Sequence, residues 1–274
     1  MAERFVAGDT LDSAVTVAHN LNERGFTVSL DLLGEEVIDV DSAGAALAEY
    51  LSCLDRIESE GLDANISIKP TQLGLAIEES LAREAVIRLG SRAAEVGTTV
   101  TIDMEDSRYT EATIRLFEFG QSVQGNFGIA VQSYLRRTPE DLERIMPLGG
   151  HVRLCKGAYV ESSEIALTSK ADVDAAFSSQ LKTLMESETT MPAIATHDSA
   201  LIDEARRLAD EREGPFEFQM LYGVRTELQG ELVAEGFPLR VYLPFGSQWY
   251  PYLTRRLAER PANVIFFTRA LFGS

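Results

Sequence analysis

A chain of 274 residues with 45% hydrophobic and 25% charged residues can bury one large core, which excludes a disordered polypeptide. No apolar run reaches bilayer length, and the N-terminus MAERFVAGDT lacks the basic and apolar regions of a secretory signal, so a cytoplasmic protein is expected. The net charge of −18 sets most of the surface against a phosphate lattice, so no nucleic acid partner is expected.

The chain opens with a helical pattern over residues 10–24. Short β-rich runs then alternate with helical segments. The runs are TVSLD (27–31), NISIK (65–69), TVTID (99–103), FGIAVQ (127–132), HVRLCK (151–156), AIAT (193–196), FEFQ (216–219) and RVYL (240–243). Helical patterns such as 42–59 and 77–96 lie between them. Such alternation predicts a parallel sheet with crossover helices, and eight strands close a barrel. The expected fold is an α/β (βα)8 barrel of TIM type, a single domain over residues 1–274. Thr138-Pro139-Glu140-Asp141 reads as a helix start with Thr138 as N-cap, and Asp198 caps the helix after the sixth strand.

Within the strands the period of two separates two faces. Val28 and Leu30 oppose Ser29 and Asp31; Ile66 and Ile68 oppose Ser67 and Lys69; Val100 and Ile102 oppose Thr101 and Asp103. The later strands repeat this. The apolar set must face the helices, so the polar set faces the lumen. Polar residues then gather at the C-terminal strand ends: Asp31, Lys69, Asp103, Gln132, Arg153, Thr196, Gln219 and Tyr242. A lumen of this kind is normally filled with branched apolar side chains, so the pattern predicts a polar ligand site at that rim.

Two segments carry the cations. After the eighth strand, Tyr252, Arg255, Arg256 and Glu259 share an arc of about 100° on one helix, suited to a planar anion. Taken alone, that helix reads better as a solvated face with an Arg255–Glu259 pair. Arg153-Leu-Cys-Lys156-Gly157-Ala158-Tyr159 places two cations at a strand end with a glycine for a close turn, as a phosphate would need. Cations paired with nearby acids would look the same. Cys53 and Cys155 form no disulfide framework, and His19, His151 and His197 show no ligand spacing, so no metal is expected.

Together, Ile68–Leu75, Ile102–Glu105, Arg153–Tyr159, Ala195–His197, Phe216–Gly223, Val241–Pro244 and Tyr252–Glu259 resemble the proline dehydrogenase family, in order and at the strand ends. The resemblance implies FAD at the barrel mouth and oxidation of L-proline to 1-pyrroline-5-carboxylate by hydride transfer to flavin N5. It implies a monofunctional enzyme that passes electrons to a quinone, with transient membrane contact at the inner face. By that likeness Arg255, Arg256 and Lys69 hold the proline carboxylate, and Glu259 holds the arginines. Tyr159, Leu221, Tyr242 and Tyr252 wall the ring. Asp103, Arg153 and Tyr242 are the catalytic set. The flavin falls to Met104, Val131, Gln132, Arg153, Lys156, Gly157, Ala158, Thr196 and His197. Asp198 stands where asparagine often follows the Thr-His pair. The rival readings are a hydroxyproline dehydrogenase, a Schiff-base barrel lyase using Lys69 or Lys156, and an amino-acid binder without chemistry.

Overall fold

The computed structural model describes residues 4–250 and Tyr252. Eight parallel strands, β1 (Thr27–Leu32), β2 (Ala64–Ile68), β3 (Val100–Ile102), β4 (Phe127–Gln132), β5 (His151–Cys155), β6 (Met191–Ala195), β7 (Glu217–Leu221) and β8 (Leu239–Phe245), close in sequence order into a barrel. Helices α2 (Val40–Glu60), α3 (Glu79–Val96), α4 (Thr110–Val123), α5 (Thr138–Ile145), α6 (Lys170–Met185), α7 (Ser199–Ala209) and α8 (Thr226–Ala234) follow the first seven strands in turn. The leading helix α1 (Leu11–Asn22) packs against β8 and β1. The expected (βα)8 barrel is therefore the observed fold.

The helices begin and end on local chemistry. Asp39 accepts from Ser42 N at the start of α2, and Gly61 closes that helix at φ 62°. Asp198 caps α7 through Ala200 N, as expected. Thr138 does not cap α5. It is the first helical residue, and its hydroxyl donates instead to the Gln132 carbonyl at 2.6 Å, tying the helix start to the end of β4. The strand-end carbonyl six residues upstream thus took the hydroxyl from the cap.

The core lies outside the barrel, between strands and helices. Val28, Leu30, Ile66, Ile68, Val100, Ile102, Val152, Leu154, Phe218, Val241 and Leu243 pack there with Tyr50, Leu54, Leu89, Phe117, Phe177 and Leu232. Each such large side chain contributes about 1.5–3 kcal/mol by leaving water. The alternate residues point inward and form the polar lumen that the period of two predicts.

Candidate active site

The lumen is wired through one arginine. Arg153 on β5 donates to Asp103 at 2.5 Å, to Ser67 at 2.9 Å and to the Gln219 side-chain carbonyl at 2.5 Å. Its guanidinium carbon lies 5.0 Å from the centre of the Tyr242 ring. Arg153 is only 3% exposed, so this charge is acceptable only because a carboxylate and several acceptors surround it. Tyr242 OH donates to the other oxygen of Asp103 at 2.7 Å, and Ser67 donates to the first at 2.8 Å. Asp103, Arg153 and Tyr242 thus form one constellation, drawn from β5, β8 and the end of β3.

Sequence reading did not anticipate what makes room for it. The strands beside β5 carry small residues on the lumen face. Ala130 on β4 and Ala193 on β6 both pair with Arg153 in register. Below them, a Cβ on Gly128 would stand 2.1 Å from the His151 ring. The two largest inward side chains of β5 fit because their neighbours have almost none. Glycine and alanine within strands were the available signal.

Lys69, one residue past β2, is 7% exposed and forms an ion pair with the fully buried Asp31 of β1. Burial pulls the Lys69 ammonium towards a lower pKa, but the carboxylates of Asp31 and Asp103 outweigh it and hold the group charged. Asp31 carried no role in the sequence reading beyond its place on the rim. Glu105 was likewise only part of a motif. It is 3% exposed and accepts from Thr71 N at 2.8 Å and Thr71 OH at 2.5 Å. Burial pushes its carboxyl up to about 7 despite those bonds. Its carbonyl accepts from Gln132 Nε2 at 2.8 Å, and Gln132 in turn accepts from Ala158 N at 3.2 Å. Glu105 and Gln132 therefore tie together the loops after β2, β3, β4 and β5.

The residues assigned to a flavin occupy consecutive strand ends, from β3 to β6. Met104 follows β3, Gln132 ends β4, Lys156, Gly157 and Ala158 follow β5, and Thr196 and His197 follow β6. Gly157 sits at φ 126°, where a Cβ would meet the Tyr134 ring at 2.3 Å, so the chain turns there with backbone alone. His197 Nε2 accepts from Leu221 N at 3.0 Å, which puts the proton of the neutral ring on Nδ1. Arginine, lysine, backbone N–H groups and this imidazole make a donor set that fits a flavin with its phosphates.

Two placements amend the expectation. Val131 points away from the lumen into the outer core, so only its backbone can meet a cofactor. Thr196 lies beyond β6. In that strand Ala193 and Ala195 hold the inward register, and the Thr196 hydroxyl accepts from Asp198 N at 3.1 Å. Lys156 is held between Asp174 at 2.5 Å and Asp198 at 2.9 Å, and the Lys156 partner holds Asp198 down to about 2 against the upward push of burial.

Leu221 ends β7 in register with Tyr242, while Tyr159 follows Ala158 on the loop after β5, half-buried, with its carbonyl accepting from Tyr134 OH at 3.1 Å. Tyr252 is buried against Val6 and Leu33. Arg255, Arg256 and Glu259 lie outside the described residues. Among the described residues no group of histidine, cysteine, aspartate and glutamate could hold a metal ion.

The family model for proline dehydrogenase matches residues 14–269. Proline dehydrogenase 1 of Bacillus subtilis (strain 168) is 38% identical over 273 residues, covering 98% of this chain and 90% of its own length. Proline dehydrogenase of Deinococcus radiodurans is 34% identical over 282 residues, covering 99% of this chain and 90% of its own. The barrel also superposes on proline utilization A of Bdellovibrio bacteriovorus, a structure described as inactivated by N-propargylglycine, with a TM-score of 0.86, 24% identity and 93% of this chain covered. This chain spans 32% of that longer protein, so the likeness there is one of fold. A polar, cation-bearing barrel mouth and likeness along nearly the whole chain lead to one conclusion: the protein belongs to the proline dehydrogenase family, and is a flavin-dependent oxidoreductase that oxidises proline.

Proposed function

We propose that the cofactor is FAD, held non-covalently by the strand ends from β3 to β6, and that L-proline is oxidised to 1-pyrroline-5-carboxylate at the mouth. The observation that carries this reading is the Asp103–Arg153–Tyr242 constellation. It puts a buried guanidinium at the boundary between the cofactor side and the side bearing Lys69, Leu221 and Tyr242. Bound flavin supplies the acceptor for the hydride. Arg153 places fixed positive charge where negative charge accumulates on reduction. Asp103 fixes that guanidinium and orients the Tyr242 phenol. Lys69 offers its ammonium to the substrate carboxylate beside Arg255 and Arg256, while Tyr159, Leu221, Tyr242 and Tyr252 exclude water around the ring.

Lys69 is held charged by two carboxylates, which disfavours the neutral amine that a Schiff-base lyase requires. A quinone acceptor, transient contact with the membrane that holds it, and a cytoplasmic location belong to the same proposal. Exposed Ile38, Val40, Ile77, Val160 and Ile165 lie on or beside the mouth loops and support it. No helix among the described residues is long and apolar enough to cross a membrane.

The test is an absorbance spectrum of the purified protein, recorded before and after anaerobic addition of L-proline or hydroxyproline. The released chromophore is identified by chromatography. We expect FAD, bleached by proline. Protein that stays colourless after incubation with FAD, or a flavin that proline does not reduce, would overturn the reading.

A further inference from the structure

We propose that Asp31 is the positioning residue for Lys69, seating its ammonium at the barrel mouth and setting the alkaline limit of carboxylate binding. The inference rests on the reading of Lys69 as a contact for the substrate carboxylate.

The geometry is that of a dedicated counter-ion. Asp31 lies at the C-terminal end of β1 and is fully buried, level with Ser67 and two residues short of Lys69 across the β1–β2 pair. One carboxylate oxygen takes the Lys69 ammonium. The other, Oδ2, has no hydrogen-bond partner among the described residues. A carboxylate buried in this way is costly unless a cation is paired with it, and here that cation is Lys69. A lysine at 7% exposure would otherwise be pushed towards its neutral form.

The other groups around Lys69 do not take over this task. Asp103, at the end of β3, already serves Arg153, Ser67 and Tyr242. Glu105, on the following loop, is occupied by Thr71 and is partly protonated near neutrality. From α2, Tyr50 and Cys53 approach the Asp31 side, and burial pushes both groups up so that they stay neutral. From β8 the Tyr242 phenol is raised by burial and by Asp103 and likewise stays neutral. Arg153 of β5 adds positive charge behind Asp103, which opposes protonation of Lys69. Asp31 is the one ion-pair partner that Lys69 has among the described residues.

The balance predicts a pH signature. While Asp31 is present the ammonium keeps its proton well into the alkaline range. Without it, burial and Arg153 act against the remaining carboxylates, and the proton is lost at lower pH. A carboxylate ligand then loses a buried charged partner.

The experiment uses the flavin-loaded protein and cyclopentanecarboxylate, which carries no amine to titrate. Dissociation constants are measured from pH 7 to 10 through the perturbed flavin spectrum. For the wild type we expect little change up to pH 9.5. For Asp31→Asn we expect affinity to fall roughly 30-fold between pH 7 and 9.5, the loss that accompanies an unpaired buried charge. Lys69→Met should bind weakly at all pH values, and Asp31→Asn/Lys69→Met should match it. Asp31→Glu, which keeps the charge, should retain the wild-type alkaline limit; it serves if Asp31→Asn does not fold. Equal weakening of Asp31→Asn at every pH would overturn the inference, as would a double variant weaker than Lys69→Met or an early alkaline loss in Asp31→Glu. A wild type that binds no cyclopentanecarboxylate at any pH would sink the carboxylate reading itself, and the inference with it.

Discussion

At the floor of the barrel, Arg240 meets Glu217 at 2.8 Å, Glu217 accepts from Gln219 at 2.6 Å, and Thr101 joins the His151 ring at 2.7 Å. At the mouth, Asp31 pairs with Lys69, and Asp103 gathers Arg153, Ser67 and Tyr242. Both ends of the lumen are therefore charged, and each buried cation has its carboxylate. They differ in how their titrating groups are poised. Burial presses His151 down to about 3, so the floor holds a neutral imidazole. Burial presses Glu105 up to about 7, so the mouth holds a carboxyl that ionises in the working range. A polar lumen is therefore not by itself a reactive one. The floor is polar because β5 and β7 put large inward residues there, and its bonds close on one another. The mouth pairs its cations too, and on the proposed reading those are the ones a bound anion meets.

The largest effect expected from this contrast is at the floor, in acid. A base whose folded pKa lies below its unfolded value of 6.5 contributes stability above that value and loses it as pH falls towards about 3. The loss is up to about 5 kcal/mol across the whole window, with about 2 kcal/mol of it by pH 5. His151→Gln should remove this acid sensitivity while proline affinity at pH 7.5 stays unchanged. Thermal unfolding of both proteins between pH 7.5 and 4.5 measures it. Parallel falls in Tm for the two proteins would mean that His151 does not carry the acid loss, and weakened proline affinity in His151→Gln would break the assignment of the floor as purely structural.

The next effect is at the mouth and concerns binding. If Arg255 and Arg256 meet the carboxylate in a desolvated pocket, replacing either with methionine leaves that charge poorly paired. The cost is about 2–5 kcal/mol, or roughly 30-fold to several-thousand-fold in affinity. Proline and cyclopentanecarboxylate should both weaken, with flavin content and Tm retained, and lysine should rescue only in part. Wild-type affinity in both single variants would place the pair on a solvated surface.

The smallest effect is also at the mouth, with the opposite pH sign to that of the floor. Glu105 has a folded pKa raised from 4.5 to about 7, so its contribution to stability is full below 4.5 and is lost as pH rises through 7. That loss is on the order of 3 kcal/mol at most. Glu105→Gln should flatten the change in Tm between pH 5 and 8 relative to the wild type. An unaltered slope would mean that Glu105 ionises freely, bonded as it is to Thr71.

Much of this was written along the chain. Eight β-rich runs separated by helical patterns specify a barrel because each strand must bury one face against a helix, and the alternation of Ile66 and Ile68 with Ser67 and Lys69 says which face. Segments such as Arg153–Tyr159 identified the family because chemistry at strand ends needs those residue types in that order. The structure alone decided who meets whom. Thr138 reads as a cap, yet its hydroxyl turns back to Gln132. Val131 stands beside Gln132 in the sequence, yet the two face opposite sides of the sheet. Asp31 and Lys69 are 38 residues apart, and nothing local marks Asp31 as the partner. Propensity and periodicity act over a few residues, so they are legible in sequence. Ion pairing in a closed lumen depends on register between strands, and on the small residues Gly128, Ala130 and Ala193 that let Arg153 and His151 reach across. Those distances exist only once the barrel has closed.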